Sequence, residues 1–255
     1  MRDYLLFTLY GPMQSWGTSA AVGEVRPTAG HPTRSGVMGL IAAALGIRRH
    51  EEDRLAALSG GYGLAVATHA SGGRLVDYHT VQVGGAARGR VYRTRSDEVG
   101  GMLPHGEEPN TILSDREYLT DACFVACLWA ADDAPPHALD DIRQALLTPC
   151  FTPSLGRKSC PAGFPFDPVM VRAADAGEAL LGYSPCRGAS VAARRLLCPG
   201  GVGELPVWAD AGHGITEGKA MLRATVRDRV SHHGRRQFVL REEEHLSLPL
   251  RRKTS

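Results

Sequence analysis

Two strand-and-helix halves divided by a long excursion predict an α+β chain. The first observation is the apolar, β-forming run 4–10, followed after a loop by helical spacing of Val37, Leu40, Ile41, Ala44 and Leu45, and then by alternating apolar residues over 62–68. The second is the apolar run 122–131, which leads through Pro135 and Pro136 into an amphipathic segment at 137–147. The third is the stretch between them, about 70–120, where glycine-rich turns, arginines and two extended pieces, 76–81 and 111–118, cannot bury much of themselves and should project. Strand, helix, strand, strand and helix in this order read as a ferredoxin-like unit with a projecting β-rich thumb. Residues 1–160 would form that domain and residues 161–255 a smaller β-rich C-terminal part.

Each element has its own signals. The strand at 4–10 ends at Gly11-Pro12, and the loop that follows holds Gln14, Trp16 and Arg26. A connection of about 20 residues without periodicity of its own usually carries function. Trp16 in it either stacks on a base or anchors packing. Thr33 or Ser35 offers a side-chain oxygen to cap the helix through Leu45, whose Gly36, Gly39 and Ala43 form a small-residue row. The amides at that helix start, with Thr33, Arg34 and Ser35 beside them, suit a phosphate group. The plainer alternative is a capped helix packed on a sheet, with a solvated arginine. Residues 51–58 read as a second helix with an acidic start, ended by Gly60-Gly61. In 137–147, Leu139, Ile142, Arg143 and Leu146 mark the inner face. Arg157 and Lys158 then fall in a loop bounded by glycine and proline, where they meet either phosphate or the carbonyl end of the preceding helix. The remainder is strand-like, ending in a hairpin of 220–230 and 237–244 joined by 231–234.

Composition narrows the function. A chain of 255 residues that is 43% apolar can bury a core, and no apolar run approaches the ~20 residues of a membrane span. Gly11 and Pro12 break the N-terminal run too soon for a signal peptide, so a cytoplasmic protein with no membrane partner is expected. The net charge of +2 hides two clusters: Arg88, Arg90, Arg93 and Arg95, and then Lys219, Arg223, Arg227, Arg229, Arg235, Arg236 and Arg241, with Asp228 the sole acid in that interval. Such clusters serve a phosphate backbone or decorate solvated strands. The six cysteines contain no C-x-x-C pair and read as buried reduced thiols, so no metal and no disulfide framework are expected. G-x-S-x-G, H-E-x-x-H, G-x-G-x-x-G and the P-loop pattern are all missing, so no cofactor is expected. The catalysis left open is metal-free RNA cleavage, with His79 beside Tyr78 as the candidate pair. A structural histidine in a strand is the alternative.

An ordered series of motifs runs through the chain. It comprises Gly11-Pro12-Met13-Gln14-Ser15-Trp16-Gly17, then Arg26-Pro27-Thr28 with Pro32-Thr33-Arg34-Ser35-Gly36, then Asp77-Tyr78-His79-Thr80. Arg116-Glu117-Tyr118-Leu119 with Asp121-Ala122, Phe151-Thr152-Pro153 with Leu155-Gly156-Arg157-Lys158-Ser159-Cys160-Pro161, and Arg236-Gln237-Phe238 continue it. This series resembles the CasD family of the RAMP superfamily, subunits of Cascade, the type I-E CRISPR surveillance complex; residues 84–110 and 187–230 match little. The resemblance implies a modified RRM-like, ferredoxin-like fold with a thumb. It further implies a non-catalytic subunit of antiviral defence that caps one end of the complex and holds the CRISPR RNA 5′ handle as a single strand, by phosphate contacts and splayed bases. The Cascade backbone subunit and the Cascade large subunit would be its neighbours, and target DNA would be met only through the assembled complex. The alternative is the endoribonuclease of a related subtype that processes precursor CRISPR RNA, but the adjacent Lys-His pair expected of that branch is missing here. On this resemblance Gln14, Arg26, Thr28, Arg34 and Ser35 should line the handle site, with Arg34 and Ser35 on phosphates at the helix start and Gln14 on a base edge. Tyr78, His79, Arg116 and Tyr118 would shape the base of the thumb, with Arg157 and Lys158 nearby; core packing is the alternative for Tyr118.

Overall fold

The structure, a computed structural model, describes residues 1–18, 25–83, 110–192, 194, 203–232 and 237–250. Its elements are β1 (Arg2–Tyr10), β2 (Met13–Gln14), β3 (Val25–Arg26), α1 (Arg34–Ala44), α2 (Glu52–Gly60), β4 (Tyr62–Ala70), β5 (Gly73–Val83) and β6 (Asn110–Thr120). They continue with β7 (Cys123–Ala130), α3 (Leu139–Leu147), β8 (Val169–Ala173), α4 (Ala176–Gly182), β9 (Glu204–Asp210), β10 (Lys219–His232) and β11 (Gln237–Pro249).

β1 and β7 are apolar on both faces because both faces of their sheet are covered. β1 pairs antiparallel with β7, Leu5 facing Leu128, and on its other edge with β8; β7 pairs antiparallel with β4. One face carries α1, α2 and α3 on a core that includes Phe7, Leu9, Ile41, Leu64, Phe124 and Ile142. The opposite face is closed by α4 and holds Tyr4, Leu6, Val125, Leu180, Val207 and Leu248.

The C-terminal strands continue this same sheet. β9 pairs with β4 through Ala65, Val66 and Ala67, and the full order is β10-β11-β9-β4-β7-β1-β8. Residues of the 161–255 stretch, Leu180, Val207 and Leu248 among them, therefore share a core face with Tyr4, Leu6 and Val125. β8, β9 and α4 were not individually legible. α4 is too short for a helical period, and what identifies it is its start, where the Asp175 side chain accepts the Glu178 amide at 2.9 Å.

The excursion forms a second sheet. β5 and β6 pair without a register break from Gly73–Thr120 to Val83–Asn110, and the short strands β2 and β3 flank the base of β6, antiparallel and parallel respectively. The extended pieces of the expected thumb are thus β5 and β6. Arg88, Arg90, Arg93 and Arg95 lie outside the described residues, as do Arg235 and Arg236.

The thiols depart from expectation. Cys123 is disulfide-bonded, and of the other described cysteines Cys127, Cys160 and Cys186 are buried while Cys150 is exposed. No described helix is long and apolar enough to cross a membrane.

Candidate nucleic-acid interface

Three loops are knitted together at the base of the β5–β6 hairpin. Gln14 is fully buried: its Nε2 donates to the Ala122 carbonyl at 2.7 Å, and its Oε1 accepts the Trp16 indole N–H at 2.9 Å. Trp16, also fully buried, is the packing anchor and not a stacking platform; its amide donates to Thr28 Oγ1 at 2.8 Å. The third loop enters at Gly156, whose φ of +86° and distance to Ser15 leave no room for a side chain, since a Cβ there would lie 1.8 Å from the Ser15 carbonyl oxygen. The expected base-edge role of Gln14 is therefore corrected. Its polar atoms hold the loops, and Thr28, 3% exposed, does the same.

The residue after Gly156 reaches the hairpin. The Arg157 guanidinium lies over the Tyr118 ring at 5.0 Å, and its Nη2 donates to the Arg26 carbonyl at 2.8 Å. Its Nη1 is buried without a hydrogen-bond partner. Tyr118 is a core residue, 4% exposed, whose ring carries this arginine. Arg157 is therefore not a cation at the carbonyl end of α3. In the β3–β6 register Arg26 lies beside Arg116, and Asp77 faces Arg116 from β5. Cross-strand neighbours share a sheet face, so Arg26, Arg116 and Tyr118, with Arg157 on it, form one face of the hairpin base. Lys158, the residue after Arg157 in the chain, is exposed. Asp77 pairs with His79 at 2.5 Å, and among the described residues no carboxylate is paired with Arg26, Arg116 or Arg157.

Tyr78 and His79 do not form a site together. Successive strand residues point to opposite faces, which leaves His79 with Asp77 on the arginine face and Tyr78, 62% exposed, on the other. An acid–base pair built from these two side chains has no geometric support.

The start of α1 is occupied by the protein's own carboxylate. Thr33 is the N-cap residue but makes no side-chain capping bond. Instead Asp228 Oδ2 accepts the Arg34 amide at 2.8 Å. Asp228 reaches it from a β-bulge between Val226 and Arg229, an irregularity that re-aims a side chain. Arg34, 6% exposed, directs its guanidinium to Asp210 and to the Ser59 and Tyr62 carbonyls, both at 2.6 Å. Arg241 bonds Asp228 at 2.5 Å, Asp210 at 3.0 Å and also Glu243, and His31 reaches Glu243 at 3.1 Å. Burial pulls the Arg34 pKa down and pushes that of Asp210 up, with the opposite charges offsetting both. Burial also opposes the Arg241 charge, yet its bonds to Asp228 and the fields of Glu243 and Asp210 hold its pKa above the ordinary arginine value. The phosphate contact expected of Arg34 is thus replaced by an internal ion-pair network. Ser35 is half-buried beside Met38 and Leu55 in a groove between α1 and α2, so the pair does not present a joint anion site.

Trp208, from β9, is sandwiched between His31 and His245, with ring centroids 4.1 and 4.0 Å apart. No group of three His, Cys, Asp or Glu side chains that could hold a metal occurs among the described residues.

A family model described as CRISPR-associated protein (Cas_Cas5) matches residues 4–242, nearly the whole of this architecture. The chain belongs to the Cas5 family. Among curated relatives of this Cas5 chain is the CRISPR system Cascade subunit CasD of Escherichia coli (strain K12), 38% identical over 191 residues, which cover 74% of this chain and 80% of that protein. A solved structure titled CRISPR RNA-guided surveillance complex has a chain that is 25% identical at a TM-score of 0.63, with 96% of this chain and 89% of that one covered. A second, titled crystal structure of Cas protein, is 29% identical at a TM-score of 0.61, covering 96% and 95%. The resemblance carried by the motif series is met by these relatives.

Sequence reasoning overlooked the polar partners of this Cas5 fold. Glu117 stood inside the Arg116-Glu117-Tyr118-Leu119 motif without a role, and Asp210, Glu243 and Trp208 carried no local signal. Asp228 had one, as the lone acid within a basic strand. An isolated opposite charge in such a run is a candidate for an internal ion pair.

Proposed function

We propose that this Cas5 chain is a non-catalytic RNA-binding subunit of a type I-E Cascade complex. It caps the complex at the CRISPR RNA 5′ end, holds the 5′ handle, and contacts the backbone and large subunits in antiviral defence in the cytoplasm. The observation that carries the RNA-binding reading is the convergence of Arg26, Arg116 and Arg157 on one face of the hairpin base, with Arg157 Nη1 buried and lacking an acceptor. Three guanidiniums with no carboxylate paired to them among the described residues repel one another, and phosphates running past them remove that repulsion. Lys158 adds a cation at the rim, and His79 borders the same face through Asp77. The antiparallel order β4-β7-β1-β8 supports the ferredoxin-like reading, and the β5–β6 hairpin is the thumb.

Incubating the purified chain, without divalent metal, with labelled precursor CRISPR RNA and with the isolated 5′ handle tests this reading. Handle binding without cleavage is the expected result. Site-specific cutting abolished by His79→Ala would move the chain to the processing endoribonucleases, and failure to bind the handle would remove the RNA role.

A further inference from the structure

Glu117 sits next to Arg116 in β6, and its carboxylate has no phosphate-binding chemistry of its own. Its Oε2 accepts the Thr28 amide at 3.2 Å and Arg74 Nη1 at 2.9 Å, while its backbone carbonyl accepts the Ser15 hydroxyl at 3.0 Å. Thr28 in turn receives the Trp16 amide. Glu117 therefore ties β6 to two loops at once, and Thr28 lies two residues from Arg26, whose carbonyl receives Arg157.

We propose that Glu117 is a positioning residue for RNA capture, fixing the Arg26-Pro27-Thr28 backbone so that Arg26 and Arg157 stand beside Arg116. This inference rests on the RNA-binding reading above and adds a residue that touches no RNA. Two physical effects of Glu117 have opposite signs. As a negative charge near the phosphates it weakens binding by Coulomb repulsion, so its removal would tighten the complex. As a clamp on the Arg26 segment it organises the cations beforehand, so its removal would loosen the complex. Only the clamp predicts a loss.

The test uses the full chain and a labelled single-stranded RNA with the handle sequence. Fluorescence anisotropy would be recorded for wild type, Glu117→Ala, Glu117→Asp, Glu117→Gln, Arg26→Ala and the Glu117→Ala/Arg26→Ala double variant, with a thermal melt of each. Glu117→Ala is expected to bind on the order of tenfold more weakly, the scale of coupling between residues that touch. Glu117→Asp, which keeps the charge but draws it back from the Thr28 amide, also binds more weakly, and this holds the proposal open to refutation if the alanine variant does not fold. Glu117→Gln, whose amide oxygen still accepts that hydrogen, recovers most of the loss. The double variant loses less than the sum of the two single losses, because part of the clamp's effect passes through the Arg26 side chain while the rest passes through Arg157, held by the residue 26 carbonyl. Unchanged or tighter binding by Glu117→Ala and Glu117→Asp, or losses that simply add in the double variant, would overturn the proposal. A wild-type chain that does not bind the handle would overturn the RNA-binding reading itself, and this inference with it.

Discussion

The Asp228 carboxylate accepts the backbone hydrogen of Arg34 at 2.8 Å, joining residues 194 apart in sequence. A helix start with a cationic side chain beside it resembles a phosphate site, but here the anion is supplied from within. The start of α1 is thus filled by a carboxylate, whereas Arg26, Arg116 and Arg157 at the base of the β5–β6 hairpin have no paired carboxylate among the described residues.

Replacing Asp228 tests that network. Asp228→Ala leaves Arg34 and Arg241 short of a buried partner and exposes the start of α1, and breaking a buried ion pair in this way costs about 3–5 kcal/mol. Urea denaturation should show a loss on that scale, whereas a change below ~1 kcal/mol would mean that the network is not coupled to folding.

Gly156 is a second pressure point. Its positive φ, and the 1.8 Å that would separate an added Cβ from the Ser15 carbonyl oxygen, make any substitution there costly. Gly156→Ala should lower stability by at least about 2 kcal/mol and weaken handle binding through the neighbouring Arg157. A thermal melt paired with an RNA titration reads both.

Gln14 separates scaffold from readout. Gln14→Ala strands the Trp16 indole N–H and removes a bond to the Ala122 carbonyl, costing about 1–3 kcal/mol of stability. The salt dependence of RNA binding by the folded variant should match wild type, since Gln14 touches no phosphate. A change in base preference at wild-type stability would restore the base-edge role.

Acid should destabilise the fold through its histidines. Burial lowers the pKa of His69 from 6.5 to about 4, and its Nε2 is buried without a partner. Burial, then His31, lowers that of His245 as well. The unfolded chain therefore binds more protons in this range. Stability is fully present above the ordinary histidine value and falls as the pH drops from about 6.5 to about 4, by up to roughly 3 kcal/mol for His69. Denaturation midpoints between pH 7 and pH 4 should show the decline, and His69→Leu should flatten it.

The sheet was legible where burial wrote a continuous apolar run, as in β1 and β7, and the hairpin where glycine-bounded extended pieces could not be buried. α1 was legible from its apolar spacing, but its partner at the N-terminus was not, because nothing local marks a carboxylate that arrives from β10 through a bulge. The same limit explains the site. Gln14, Thr28 and Arg34 are polar residues in a functional-looking loop, and sequence alone does not distinguish a polar side chain that faces a ligand from one that knots three loops together. Arg26, Arg116 and Arg157, distant in the chain, become one face only through strand register and the close approach at Gly156.

The most direct test of RNA capture at the hairpin base is the salt dependence of handle binding by wild type and by Arg26→Ala, Arg116→Ala and Arg157→Ala. Abolishing one phosphate interaction with a single strand reduces the slope of log K against log salt by about 0.7, and a reduction of that size is predicted for each variant. Slopes equal to wild type in all three would contradict the account.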